Sequence, residues 1–392
     1  MSAHVRGAAA CIVGAYEHPL RLAPDHSVAQ LHAEVAAGAL ADAGLDRSQV
    51  DGYFCSGDAP GLGPTSMADY LNLRLRCFEN TDVGGASYLS LVAHAAGAIA
   101  DGRCDVALVT LAGRPRSEGV ATGTQARLRS ADAPDALWEY PYGLANANGY
   151  AMCARRHMHD HGTTPQQLAW VKVAASHHAQ HNPHAMLPKP VTVEEVLASP
   201  LVADPLHRLD CCVVSDGGGA VVLARPEIAR QAGRPFVALR GHGETIEHTQ
   251  GGYRGLTHTG AVRSGAAAFA QARLAPRDIQ YASIYDSFTI TVLMQLEDLG
   301  FCAKGEGGRF VEDGQLIAGV GRLPVNTDGG GLCNNHPANR GGMTKVIEAV
   351  RQLRGEAHPA VQVPDCALAL VHGTGGNLAS RHGSATLILE RH

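Results

Sequence analysis

Apolar positions along the chain recur in two rhythms, and the rhythms alternate. The short runs "AACIVGAY", "VDGYFCSG", "DVALVTLAG" and "AVVLAR" are bounded by glycine or polar residues and predict strands. Between them, "SVAQLHAEVAAGALADAGL" places Val28, Leu31, Val35 and Leu40 on one helical face behind Ser27, a candidate N-cap. "SYLSLVAHAAGAIADG" predicts a second helix, of small residues suited to deep packing. After Pro235 the order repeats. "FVALRGHGE" predicts a strand, "AVRSGAAAFAQARL" a helix and "IQYASIYDSF" a strand. Two helices follow, "TITVLMQLEDLG" closed by Gly300 and "MTKVIEAVRQLRG" closed by Gly355, then the strands "CALALVHGTGG" and "SATLILER". This alternation predicts a layered α/β fold. Two pairs of segments echo each other, "CDVALVTLAG" with "CALALVHGTGG" and "SDGGGAVVLAR" with "RHGSATLILER". The echo implies a duplicated α/β unit, with halves at 1–235 and 236–392. Residues from about 115 to 205 interrupt the rhythm with "RPRSEGVATGT", "YPYGLANANGY" and "NPHAMLPKPVT", a long insertion expected to form a loop domain over an active site.

Composition narrows the class. A chain of 392 residues with 45% apolar and 18% charged residues holds enough material for two core-sized units. A net charge of −5 argues against general nucleic-acid binding or a polybasic membrane role. Ten cysteines without a CxxC pair are expected to be reduced thiols in a cytoplasmic protein. The 21 histidines lack an HExxH or comparable spacing, so no metal site is expected. His177, His178 and His181 lie in a polar helical stretch and are expected to be solvated. The amino-terminal "MSAHVRGAAACIVGAYEHP" reads as a buried first strand and not as a signal peptide. No run approaches the roughly 20 apolar residues that span a bilayer.

Candidate chemistry concentrates in "VNTDGGGLCNNHPANRGGM", residues 325–343. Gly329, Gly330 and Gly331 let the backbone fold tightly, and Pro337 fixes the chain after His336. Such a turn is suited to holding one side chain rigidly; Cys333 is expected to be structural.

Six segments in order, "AYEHPLR", "HGTTPQQLAWVKVAASHHAQHNPHAM", "PLHRLDCCVVSDGGGAVVLA", "YDSFT", "NNHPANRGGM" and "VHGTGG", carry a family resemblance. The chain resembles the thiolase superfamily, in the branch similar to sterol-carrier-protein-x thiolases. That resemblance implies a duplicated thiolase fold with α-β-α-β-α layers and four loops converging between the halves. In the family one loop gives a nucleophilic cysteine at a helix start; here Gly84 in "ENTDVGGASYLS" takes that place, and Ser87 faces elsewhere. Tyr285 stands where a His or Asn is usual and is expected to relay a proton, while Asp286 is expected to orient or cap the following helix. His336 corresponds to the histidine that polarises the substrate thioester oxygen. His372 takes the place of the cysteine acid/base, and Gly373, Gly375 and Gly376 are expected to offer backbone N–H groups to a second oxyanion. Without the cysteine, the chain resembles the thiolase-like aldolases of steroid side-chain degradation. These imply cleavage of a β-hydroxyacyl-CoA to a ketone or aldehyde and a shorter acyl-CoA, with coenzyme A present only as part of the substrate. They also imply a homodimer and a small acyl-CoA-binding partner with an OB-fold and zinc ribbon. Two other readings stay open: a thiolase-type acyltransferase of a two-component system, and a non-catalytic acyl-CoA- or lipid-binding subunit.

Overall fold

Each apolar run becomes a strand because the residues on both of its faces are taken up by helices. The computed structural model describes residues 10–122, 145–231, 233–248, 255–338 and 340–392. Its strands are β1 (Cys11–Glu17), β2 (Gly52–Cys55), β3 (Cys77–Asn80), β4 (Val106–Gly113), β5 (Leu201–Ala203), β6 (Leu206–His207), β7 (Gly217–Ala224), β8 (Val237–Glu247), β9 (Tyr281–Ile284), β10 (Leu368–Asn377) and β11 (Ser380–Arg391). Nine of them form one sheet in the order β3-β2-β4-β7-β1-β8-β11-β10-β9, while β5 and β6 pair separately.

This order reads the same outward from the centre. From β1 the first half runs β7, β4, β2 and β3; from β8 the second half runs β11, β10 and β9. The parallel bridge Ala282↔Val325 supplies the place that β3 holds in the first half. The echoing sequence pairs therefore occupy equivalent positions, β4 with β10 and β7 with β11. The halves join where Cys11 and Ile12 pair antiparallel with Ala238 and Val237.

Strand alternation sorts the side chains into layers. Helix α1 (Val28–Ala43) covers one outer face, with Val35, Ala39 and Leu40 against Val106 and Leu108 of β4. Ser27 caps it, accepting the Gln30 N–H at 3.0 Å. Helix α2 (Pro64–Tyr70) lies between β2 and β3 in sequence. The other faces of β4 and β7 meet α3 (Ser87–Ala100), whose Tyr88, Leu89, Leu91 and Val92 are fully buried. The insertion contributes α4 (Asn146–His161), α5 (Pro165–Ala179) and α6 (Val193–Ala198). It packs on the second half: Tyr150 of α4 stacks on Phe288, with ring centroids 4.3 Å apart. The "YPYG" turn expected in the insertion lies outside the described residues.

Helix α7 (Pro226–Gln231) leads into β8, and α8 (Ala261–Ala272) covers the other outer face, meeting Leu370 of β10 and Ile388 of β11. Then come α9 (Thr289–Asp298), α10 (Gly307–Val311), the short α11 (Gly330–Cys333) and α12 (Gly342–Arg354). Met343, Val346 and Ile347 of α12 share the central layer with α3. The layers therefore run α1, first half-sheet, α3 with α12, second half-sheet, α8. The amino-terminal ends of the two central helices come together: a Cβ on Gly342 would fall 2.1 Å from the Gly85 carbonyl oxygen.

One expectation is corrected. His178 of α5 is fully buried, and its Nε2 accepts the Ala318 N–H at 2.9 Å while Nδ1 lies 3.3 Å from the Asn326 carbonyl oxygen. Polar neighbours in sequence made the stretch look solvated, but α5 sits under the chain that precedes α11. Among the described residues no group of three or more potential ligands converges as a metal site, and no helix is long and apolar enough to cross a membrane.

Candidate active site

Tyr285 follows the last residue of β9, on the strand face opposite Ile284. Ile284 points toward α8, so Tyr285 points into the central layer. Its N–H donates to the His372 carbonyl oxygen at 2.9 Å, which ties the end of β9 to β10. The ring lies directly over Gly85 at the opening of α3. A Cβ on Gly85 would stand 2.3 Å from Tyr285 Cε2 and 2.4 Å from the Thr374 carbonyl oxygen. The tyrosine ring therefore fills the space that a side chain at Gly85 would use.

The hydroxyl is held from two sides. Tyr285 Oη lies 2.8 Å from His336 Nε2 and accepts the Gly341 N–H at 3.2 Å. Gly341 is the residue before α12, so the phenolic oxygen meets the amino-terminal end of a central helix. The two rings meet edge-on, centroids 5.6 Å apart and planes at 75°. Tyr285 is 4% exposed and His336 6%, leaving only a narrow opening to the pair. Water is largely shut out, which strengthens electrostatic contacts at the pair.

The turn that carries His336 is fixed by a buried polar lattice. The His336 N–H donates to Ser215 Oγ at 2.9 Å. Asn334 receives Arg21 Nη2 on its Oδ1 at 2.8 Å, and its Nδ2 donates to Asp328 Oδ2 at 3.0 Å and Glu17 Oε1 at 3.1 Å. Asn335 Nδ2 also donates to Glu17 Oε1. Burial alone would raise the Glu17 carboxyl, but Arg21 and Arg351 hold it below the usual range, so it stays an anion. Asp286 anchors the same turn from below. It accepts the N–H groups of Gly331 at 2.9 Å and Leu332 at 3.2 Å, and pairs with Lys345 Nζ at 2.6 Å, both side chains 1% exposed. Asp286 is thus saturated by the scaffold, and it braces α11 instead of the helix that follows it in sequence.

The other expected site residues are placed differently. The His372 imidazole lies on the face of β10 that meets α8. Its Nδ1 is 2.8 Å from Thr386 Oγ1 and its Nε2 3.5 Å from Ser384 Oγ, and burial pushes its pKa down to about 3. The structure does not bring this imidazole to Tyr285 and His336. The site side of that strand is offered by Gly373, whose Cβ would meet Leu89 Cδ1 at 2.9 Å and Ala86 Cα at 3.3 Å. Gly84, at φ +68°, would place a Cβ 2.8 Å from Gly375 Cα and 2.9 Å from Gly376 N. Gly84 and Gly375 therefore let two backbones touch, and Gly376 is exposed. Ser87 closes the loop locally, donating to the Gly84 carbonyl at 2.6 Å and accepting the Val83 N–H at 2.9 Å.

Two contributors escaped the sequence reading, Gly85 and Gly341. Both belong to Gly-Gly pairs just before a helix, in "DVGGAS" and "NRGGM", and that spacing was the available signal. Burial raises nine of the ten thiols and so disfavours their nucleophilic thiolate form. All ten cysteines are unpaired. Burial pushes Cys55, Cys153 and Cys211 up to about 12, and raises Cys333 as well.

Residues 243–391 match the family described as thiolase C-terminal domain-like. The chain is 36% identical over 369 residues to an acetyl-CoA acetyltransferase of Methanothermobacter thermautotrophicus, covering 91% of this chain and 94% of that one. It is 38% identical over 350 residues to the 17-hydroxy-3-oxo-4-pregnene-20-carboxyl-CoA lyase of Mycobacterium tuberculosis, covering 83% and 86%. Among solved structures, the Ltp2-ChsH2(DUF35) aldolase superposes with a TM-score of 0.86 at 35% identity, covering 97% of each chain.

Proposed function

This chain belongs to the thiolase superfamily, and from that premise we propose that it is a thiolase-like aldolase cleaving the Cα–Cβ bond of a β-hydroxyacyl-CoA. The observation that carries the proposal is the Tyr285 ring over Gly85: the space a side chain at the opening of α3 would use is taken by a phenol paired with His336. An acyl-enzyme has no atom to form on there, whereas a retro-aldol reaction needs only a base and a site for the enolate. The acetyltransferase relative marks the acyltransferase alternative, and the raised thiols argue against it.

In this reading Tyr285 and His336 work as one unit. The substrate β-hydroxyl gives its proton to Tyr285 Oη while the phenolic proton moves to His336 Nε2. The Cα–Cβ bond breaks, the β-carbon becomes a carbonyl, and the electron pair passes into the thioester enolate. The amino-terminal ends of α3 and α12 carry partial positive charge and favour that anion. The proton then returns from His336 through Tyr285 to Cα, so the reaction consumes nothing else. Proton transfer of this kind contributes about 100-fold or more.

The lyase relative's name suggests the substrate class. A hydroxyl on carbon 17 lies β to a thioester carbonyl on carbon 20, so that molecule is a β-hydroxyacyl-CoA. Its cleavage leaves a 17-ketone and a three-carbon acyl-CoA. We extend this class, a ring-bearing acyl-CoA, to the present chain. We also propose a cytoplasmic homodimer that works with a small acyl-CoA-binding partner of OB-fold and zinc-ribbon type; the solved aldolase with its two named components supports the partner. The test is incubation with 17-hydroxy-3-oxo-4-pregnene-20-carboxyl-CoA, partner present, followed by mass spectrometry of products and protein. Ketone and three-carbon acyl-CoA with unmodified protein are expected. A covalent acyl adduct on a cysteine supports the acyltransferase instead, and binding without products supports the non-catalytic subunit.

A further inference from the structure

Arg340 lies between His336 and Gly341 in sequence, and its side chain crosses to the first half. Nη1 donates to Ser56 Oγ at 2.7 Å and lies 3.6 Å from Asp58 Oδ1; Nη2 donates to Asp82 Oδ2 at 2.9 Å. All three partners belong to the first half, on the segments that follow β2 and β3. The guanidinium is 15% exposed, and Gly57 makes room for its Asp82 partner, since a Cβ there would fall 2.4 Å from Asp82 Oδ2.

One arm of the fork leads to one wall of the Tyr285 slot, and the backbone of Arg340 leads to the other. Asp82 Oδ1 accepts the Gly84 N–H at 3.1 Å, which sets the loop whose next residue, Gly85, lies under the tyrosine ring. On the other side, the residue after Arg340 supplies the N–H that holds Tyr285 Oη. Asp58 is itself fixed, by the Ala112 N–H at 3.1 Å, by Tyr88 Oη from α3 and by His32 at 3.3 Å. The fork therefore rests on a firm base. Its own backbone is closed locally, the Arg340 N–H donating to the Pro337 carbonyl at 2.9 Å.

We infer that Arg340 is a positioning residue for the proposed aldol cleavage: its forked contact with Asp82, Ser56 and Asp58 sets the gap between Gly85 and Gly341 in which Tyr285 stands. This inference rests on the proposed function for its kinetic readout and on geometry alone for its structural one. Arginine is suited to the task because its planar fork meets two acceptors at fixed angles. Misplacement of a reacting group by about 1 Å costs on the order of 100-fold in rate.

The experiment compares wild type, Arg340→Gln, Arg340→Lys and Asp82→Asn with the pregnene carboxyl-CoA thioester and the partner present. Arg340→Gln is expected to lower kcat at least about 10-fold with KM changed less than about threefold. Arg340→Lys should recover part of that loss, because its ammonium still reaches one acceptor. Asp82→Asn leaves one acceptor for the Arg340 arm and the Gly84 N–H together, and keeps the variant set informative should Arg340→Gln not fold; it is expected to lower kcat by a smaller factor. A crystal structure of Arg340→Gln, or of Asp82→Asn in its place, should show Tyr285 displaced relative to Gly341 or Gly85. Unchanged kcat in both variants, a loss carried entirely by KM, or an unmoved slot in the variant crystal overturns the inference. If wild type cleaves no β-hydroxyacyl-CoA, the functional reading fails, and the variant crystal still decides the role of Arg340.

Discussion

At Gly85 a single methyl group would reach 2.3 Å from the Tyr285 ring, so the pairing of this glycine with that tyrosine can be tested by adding one carbon. Gly85→Ala should keep the fold, at an overpacking cost of about 1–3 kcal/mol, while displacing the tyrosine from His336 and Gly341. Turnover is expected to fall about 100-fold, the scale of a lost proton transfer; turnover near wild type in a folded variant would show that the slot is not needed. Thiol chemistry gives the complementary test. Cys212 and Cys302 are the partly exposed cysteines and burial raises both thiols, so alkylation with iodoacetamide should leave turnover intact. Stoichiometric inactivation by labelling one cysteine, with the fold preserved, would reinstate the acyltransferase.

The same scale shows what the sequence can and cannot disclose. Tyr285 was singled out by the family resemblance alone, and His336 by that resemblance and by the glycine-rich turn that Pro337 closes; the structure brings the two side chains together. The placing of His372 was not legible, because β10 is buried on both faces. In "LALVHGTGG" the apolar residues run on without alternation, so nothing in the string says whether His372 or Gly373 faces the central layer. Gly85 was passed over because the adjacent Gly84 matched the family position first, and only coordinates separate two neighbouring glycines.

At the scale of elements, the long periodic segments were read correctly and the short edge was missed. Strand β3 is four residues, "CFEN", with Phe78 67% exposed, and carries too little pattern to be seen. The packing of elements also fixes a pH dependence. His178, His372 and His382 are fully buried between sheet and helix or under a loop, and burial pushes them down to about 4, 3 and 4. The unfolded chain takes up three protons near pH 6.5 that the folded chain refuses, so stability rises with pH between about 4 and 6.5. Glu348 has the opposite sign. Burial and Asp328 push its carboxyl up to about 7, so the folded chain holds one extra proton from roughly pH 4.5 to 7. Three groups against one leave the slope positive. Melting temperature should therefore fall from pH 6.5 to 4, and His382→Gln should make the slope shallower by about half. A flat profile would show that these histidines reach solvent.

At the scale of the whole molecule, the duplication seen as two faint echoes becomes a sheet that reads alike outward from the β1–β8 junction. What no echo disclosed is that the Tyr285–His336 pair forms where the two halves present the amino-terminal ends of α3 and α12 to each other. The exposed edge at β3, with Phe78 on it, is consistent with pairing to a second copy. Sedimentation should show a dimer at micromolar concentration, and a stable monomer would contradict the proposed assembly. The most direct test of the central claim, that Tyr285 and His336 act as one proton-transfer unit without a cysteine, is turnover of the pregnene carboxyl-CoA thioester with the partner present. Tyr285→Phe and His336→Ala should each lower kcat about 100-fold or more, and the double variant little further, because either change disables the same unit. Near-wild-type turnover in Tyr285→Phe would contradict the account.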